Sequence, residues 1–304
     1  SKRVDNLSHP TGVIQEAETL LADAFHSDNA YMLVNGSTSG VQYMIMSALE
    51  HGDKILLPRN VHKSAINALI LAGAKPVFIE PEIDYEYGIV NGVSVKSVLH
   101  ALDLNSDVKA ILIINPTYFG ATSDLKQIID IGHCRGIPVL VDQAHGAHFS
   151  FHPDLPSNAA LLGADLVSLS LHKTGGALTQ ASVLLHNDGI ITKNRVRSTI
   201  NLFQTTSASY LLMCSIDVAR KKLVLEDYFS WASEFLDYEN RLDYRDVTQN
   251  QKDMIFYCSD FQVQELIDVR PKENSSYIRS STEPFDDEME LDQRRVKRWL
   301  IHFG

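Results

Sequence analysis

The residues able to do chemistry gather where short apolar runs stop. SLSLHKTGGALTQ (168–180) ends one such run on His172 and Lys173, with the hydroxyls of Ser168 and Ser170 before them and two glycines after. In a pocket of low polarity, beside a second cation, a lysine has a depressed pKa and becomes usable as a nucleophile and base. NGSTSG (35–40) sets Ser37, Thr38 and Ser39 among glycines just ahead of a helical pattern. Hydroxyls and unpaired backbone N–H groups at a helix N-terminus make an anion cradle suited to a phosphate. It lacks the central serine of GxSxG and the GK[ST] ending of a P-loop, and no GxGxxG occurs.

Other strand ends carry further candidates. IPVLVDQAHGAH (137–148) closes an apolar run on Asp142, and a buried carboxylate is costly without a partner. Asp142, His145 and His148 are metal-ligand types, yet the two histidines lack the i, i+4 spacing of a helical metal motif and Gly146 between them reads as a turn. A cationic heterocycle is the other partner such a carboxylate suits. PRNVHKS (58–64) places His62 and Lys63 after another run, and NPTYFG (115–120) offers Thr117 and Tyr118 on a Pro/Gly turn.

The elements that must position these residues alternate in type. Short β-rich runs at 31–34, 54–57, 76–79, 110–114, 139–142, 166–170 and 182–186 are separated by helical patterns. SDLKQIIDIGHCRG starts on a Ser/Asp cap and ends at Gly136. Repeated strand–helix–strand units predict an α/β fold with a mostly parallel seven-stranded sheet flanked by helices, and such sheets bind ligands beyond the carboxyl ends of their strands. The candidates above all fall there. Cradle, strand-end aspartate and later lysine together match what pyridoxal 5'-phosphate requires. The lysine forms its Schiff base, and the carboxylate keeps its pyridine nitrogen protonated so that the ring accepts electrons.

Composition bounds the alternatives. The 304 residues carry a net charge of -11, which disfavours nucleic acid or an anionic membrane as main partner. No apolar run approaches the roughly 20 residues of a membrane span, and no leader pattern opens the sequence, so a cytoplasmic location is expected. Cys134, Cys214 and Cys258 form no CxxC pair and are expected to be buried, reduced, small hydrophobic residues. Residues 1–225 hold 15 of the 16 glycines, whereas 226–304 hold one glycine and 18 acidic residues against 10 Lys/Arg. Two regions are therefore expected, a large domain over 1–225 and an incomplete small C-terminal domain over 226–304.

DNLSHPTGVIQEAE, NGSTSG, RNVHKSAINAL, NPTYFG, VDQAHGAHF, SLHKTGGALTQAS and INLFQTTSASYLLM, in this order, resemble the bacterial ornithine/lysine/arginine decarboxylases, in a short form without the wing domain. The resemblance covers about 4–225. It implies the fold type I architecture of pyridoxal-phosphate enzymes, α-decarboxylation of lysine, arginine or ornithine in polyamine metabolism, and a homodimer with shared active sites. By resemblance Lys173 binds the cofactor and Asp142 faces its ring nitrogen. His62 stacks on the ring, Ala144 touches the other face, and Ser37, Thr38, Ser39, Ser170 and His172 hold the phosphate. Catalytic roles are implied for Lys173, Asp142, His62 and His172, with His145 added among the cofactor contacts. Thr206, in the segment 204–209, is implied as a contribution from the partner subunit, with Ala208 where proline is commoner in the family. A PGHK-like segment ahead of DNLSHPTG and the β-rich pattern of the small domain are missing, so stretches of a longer chain are expected to be absent. Another fold type I enzyme, an aminotransferase or lyase, stays open beside this, as does a cofactor-retaining regulatory protein.

Overall fold

A computed structural model describes residues 5–85 and 88–225. The chain divides into two compact units, and the larger holds everything discussed below except the 83–89 segment. The small domain expected over 226–304 lies outside the described residues.

The elements run α1 (Val13–Ala24), β1 (Asn29–Leu33), α2 (Gly36–Ala48), β2 (Lys54–Pro58), α3 (Lys63–Ala72) and β3 (Lys75–Ile79). After the short β4 (Ile83–Asp84) and β5 (Ile89–Val90) come α4 (Val95–Leu104), β6 (Val108–Ile114), α5 (Leu125–Cys134), β7 (Val139–Asp142) and β8 (Leu166–Leu169). The series ends with α6 (Leu171–Thr174), β9 (Ser182–His186), α7 (Lys193–Phe203) and α8 (Tyr210–Leu225).

Seven strands form one sheet in the order β1-β9-β8-β7-β6-β2-β3. The run from β3 to β8 is parallel throughout, and β9 lies antiparallel to both of its neighbours. Periodicity alone locates all seven strands to within two residues at either end. The reversed direction of β9 is new. Only a reversed strand lets the chain pass from α6 straight back down the sheet without a crossover helix.

Alternation along the strands explains why both faces are covered. Leu56, Ile111, Val141, Val167 and Val183 point into one buried cluster with Leu21, Val98, Ile128 and Ile216 from the helices. Ile55, Leu57, Leu112, Leu140 and Leu184 point into a second cluster with Met44, Ala68, Val196 and Ile200. Parallel central strands buried on both faces read as continuous apolar runs, which is why Asp142 stands out at the end of VLVD. Helix α5 shows the matching helical code: Leu125, Ile128, Ile129 and Gly132 are its buried stripe, Asp124 caps it by accepting the Gln127 N–H at 3.2 Å, and Gly136 follows at φ 68. Burying each of its three large apolar side chains is worth about 1.5–3 kcal/mol.

The cysteines depart from expectation. Cys134 and Cys214 are exposed, because the buried stripes of their helices run through Gly132, two residues before Cys134, and through Met213, Ile216 and Ala219, which pass beside Cys214 without including it. Cys258 lies outside the described residues. Among the described residues no helix is long and apolar enough to cross a membrane.

Candidate active site at the carboxyl ends of the sheet

The lysine segment is built by the end of β8. Strand pairing stops at Leu169, Ser170 takes the N-cap position, and the single turn α6 carries His172 and Lys173. The His172 N–H donates to the Ala181 carbonyl at 3.2 Å, which ties this turn to the start of β9. Lys173 is half-buried. Burial pulls its amine below the ordinary lysine range, and the Asp142 carboxylate pulls the other way.

Asp142 ends β7 in register with Ser168 of β8 and Ile114 of β6. Its carboxylate is buried and takes one hydrogen bond, from the Ala144 N–H at 3.2 Å. Burial pushes its pKa up, and the Ala144 N–H, Lys173 and His62 oppose that. A carboxylate this buried, with one hydrogen-bond donor among the described residues and a lysine amine nearby, is matched to a cation.

His62 caps α3, with Nδ1 accepting the Ser64 N–H at 3.3 Å and lying 2.8 Å from its hydroxyl. The loop before α3 therefore holds the ring at the edge of the same group, where burial lowers its pKa, Asp142 raises it, and Lys173 and Lys63 lower it.

The hydroxyl loop comes from the other side. Helix α2 begins inside NGSTSG, at Gly36 with φ 76, and the Gly36 N–H donates to the Gln180 carbonyl at 2.9 Å. Ser170 Oγ donates to Ser37 Oγ at 2.5 Å and Ser168 Oγ to the Ser37 carbonyl at 3.3 Å. The first turn of α2 is thus fastened to the end of β8 and to the residues just before the lysine. The three hydroxyls of the loop are not equivalent. Thr38 is exposed and Ser37 is half-buried with its hydroxyl on Ser170, whereas Ser39 is buried and donates to the Gly36 carbonyl at 2.8 Å. Among the described residues the helix itself uses Ser39.

His145 directly follows the buried pair Gln143–Ala144, with Nε2 3.0 Å from Lys173 Nζ. The Tyr118 ring meets it edge-on, 5.6 Å between centroids. Burial, and then the electrostatic influence of Lys173, His62, His172 and His148, lower His145 to about 3. His172 Nδ1 lies 3.1 Å from the Ala181 carbonyl; burial lowers its pKa, that carbonyl opposes, and Lys173 lowers it further.

The structure therefore brings together Lys173, Asp142, His62, His145, His172, Ala144, Ser37 and Ser170, with Thr38 on the adjoining helical turn. Thr206 is different. It is exposed on the loop between α7 and α8 and makes no hydrogen bond to the others among the described residues. At the head of that loop Gln204 is buried, accepts the Val34 N–H at 3.4 Å and donates to the Met32 carbonyl at 3.3 Å. The part of 204–209 that a second copy could receive is thereby narrowed to 205–209.

Two contacts escape sequence reasoning. Tyr118 reads only as a turn residue and Ser168 only as a neighbour of the lysine; their places follow from β6, β7 and β8 being adjacent. DNLSHPTG proves structural, since the Asp5 carboxylate accepts the N–H groups of Thr11, Gly12 and Ile14 at 2.8–3.0 Å and so holds the entry to α1.

The residues at this end fit pyridoxal 5'-phosphate. The hydroxyls of Ser37 and Thr38 at a helix N-terminus suit the phosphate, a buried carboxylate suits a ring cation, and a lysine amine depressed by burial stands near that carboxylate. A cavity of about 300 Å³ lies at the opposite end of β1, around Asn29, Glu18 and Arg197, and contains none of these groups.

The family model described as Orn/Lys/Arg decarboxylase, major domain, matches residues 1–275. Arginine decarboxylase of Bacillus cereus is 49% identical over 223 residues, 73% of this chain and 48% of that protein, so the chain spans about half the length of the curated relatives it matches. Among solved structures, lysine decarboxylase A from Pseudomonas aeruginosa superposes with a TM-score of 0.67 at 23% identity, over 80% of this chain and 36% of that one. A chain described as SPT with PLP gives 0.57 at 20% identity, over 72% and 53%. These likenesses show the fold type I architecture that the family resemblance implied, and with the family model they show that this chain belongs to the Orn/Lys/Arg decarboxylase family.

Proposed function

We propose that this chain carries the cofactor site of a pyridoxal-phosphate enzyme that removes the α-carboxylate of a basic amino acid, releasing CO2 and an amine. The observation that carries this is the meeting of three groups at one end of the sheet: buried Asp142, half-buried Lys173 beside it, and the Ser37–Ser170 hydroxyl pair at the start of α2. Arginine is the first substrate to assay, in view of the arginine decarboxylase relative, with lysine and ornithine beside it.

Ser37, Thr38 and Ser170, with the N-terminus of α2, would hold the phosphate; Asp142 would face the ring nitrogen, and His62 would cover one face of the ring. When bound, the coenzyme supplies an electron sink for the pair left behind as the carboxylate departs. Asp142 answers a cationic nitrogen in a site with little water, where a fixed opposite charge is worth more than in solution. Lys173 would anchor the cofactor covalently. Either Lys173 or His172 would deliver a proton to the substrate α-carbon, His172 through Nε2, since its Nδ1 faces the Ala181 carbonyl. The homodimer and the cytoplasmic location belong to the same proposal, with 205–209 reaching toward a second copy's site.

The test is a product assay. Protein supplied with pyridoxal phosphate is expected to release CO2 and the matching amine from arginine, lysine or ornithine, and Lys173→Ala to release none and to lose the absorbance of the bound cofactor. Asp142→Asn is expected to keep the cofactor and lose about 10²-fold or more in turnover. Turnover surviving in Lys173→Ala, or an unchanged rate in Asp142→Asn, would refute these roles.

A further inference from the structure

Lys173 needs more than a depressed pKa to act as a nucleophile; its lone pair must point at the carbon it attacks. The amine of a lysine rotates freely about its last bond unless something receives one of its hydrogens. Among the described residues His145 Nε2, at 3.0 Å, is the group in place to do so. The His145 ring is itself braced, with Tyr118 edge-on at 5.6 Å. Next to it Gly146 is packed so closely that a Cβ would stand 2.8 Å from Pro116 and 2.9 Å from Gln143 and Phe149. Burial, and then the proximity of Lys173, His62, His172 and His148, keep the imidazole neutral above about pH 3. When Lys173 is the donor of this contact, the neutral ring accepts at Nε2 and carries its own hydrogen on Nδ1.

Resting on the assignment of Lys173 to the cofactor, we propose that His145 is a positioning residue: by accepting one N–H of the Lys173 amine it fixes the rotation of that group and aims the nitrogen lone pair at an incoming aldehyde. In the condensation the lone pair forms the N–C bond, both amine hydrogens pass to the carbonyl oxygen, and that oxygen leaves as water. His145 takes no proton in this step. Asp142, which faces Lys173 and His62, and Lys63, which acts on His62, are the other charged groups around the amine.

The experiment uses the full chain stripped of cofactor. His145→Phe keeps a ring against Tyr118 but has no acceptor, and His145→Gln keeps an acceptor oxygen. Pyridoxal phosphate is added, and the rate of attachment at Lys173 is followed by borohydride capture and peptide mass across a pH series. The pH profile of reductive methylation at Lys173 reports the pKa of the amine separately. His145→Phe should attach about tenfold more slowly at every pH, with an amine pKa equal to or below that of the wild type, while His145→Gln stays within about threefold. His145→Phe attaching as fast as wild type, being slow only through a raised amine pKa, or being matched by an equally slow His145→Gln would each overturn the proposal. Wild-type protein that fails to take the cofactor at Lys173 would overturn the assignment of the lysine as well, so the two failures are told apart.

Discussion

Asp142 and His145 lie three residues apart, and burial drives both toward their uncharged forms, with opposite consequences for stability. His145 falls from an ordinary 6.5 to about 3. Between those values the unfolded chain binds a proton that the folded chain refuses, so the His145 contribution is complete above about pH 6.5 and is lost as pH drops toward 3. At about 1.4 kcal/mol per unit, the loss is bounded at about 5 kcal/mol. Asp142 is raised: its folded form holds a proton longer, and it contributes stability at low pH that disappears as pH rises through its folded value. The net slope mixes the two, so a comparison of variants isolates one. Melting temperatures of cofactor-free protein from pH 7 to 4 should fall more steeply for wild type than for His145→Gln. Parallel curves would show that His145 is protonated in the folded protein.

At the scale of elements, the site depends on how closely α2 approaches β8. Gly40 makes that approach possible: a Cβ there would stand 2.2 Å from Ser168 Oγ and 3.1 Å from Leu33 Cδ1. Gly40→Ala should cost about 1–3 kcal/mol in urea unfolding, and Ser168→Ala in the same chain should recover part of it by removing the nearer atom. Equal stability of Gly40→Ala and wild type would mean that the helix can slide outward freely. The two glycines of the cradle then have different reasons. Gly36 has open space around it and is required for its φ of 76, Gly40 for the room it leaves. In the sequence NGSTSG displays both glycines alike, because spacing records the motif but not the strand pressed against it.

At the scale of the whole molecule, one ion pair joins three elements that are distant in sequence. Glu18 of α1 is buried, accepts the Met32 N–H of β1 at 3.1 Å and bridges Arg197 of α7 at 2.7 Å, while Arg197 lies over the Tyr31 ring at 4.5 Å. Removing one partner leaves a buried charge unanswered, so Arg197→Leu should destabilise by about 3–5 kcal/mol, read from chemical denaturation. Glu18→Gln, which keeps an acceptor for Met32 and removes the charge, should cost less. A loss below about 1 kcal/mol in Arg197→Leu would show that water reaches the carboxylate.

The sequence by itself determined the seven strands, the helices between them and the chemical types at the strand ends, because apolar periodicity and glycine caps are local and each motif is contiguous. It also pointed to Lys173, Asp142 and the hydroxyl loop as candidates for one kind of chemistry. Tertiary structure alone decided what no local signal encodes: that β9 runs backward, that Ser39 bonds its own helix while Ser37 faces Ser170, that Gln204 is bound to β1, and that His145 stands against the lysine amine. The contacts of Ser37 with Ser170, Gln204 with β1 and His145 with Lys173 arise from residues far apart in the chain arriving within hydrogen-bond distance of one another. That depends on strand order and packing, to which the pattern of hydrophobic residues is blind.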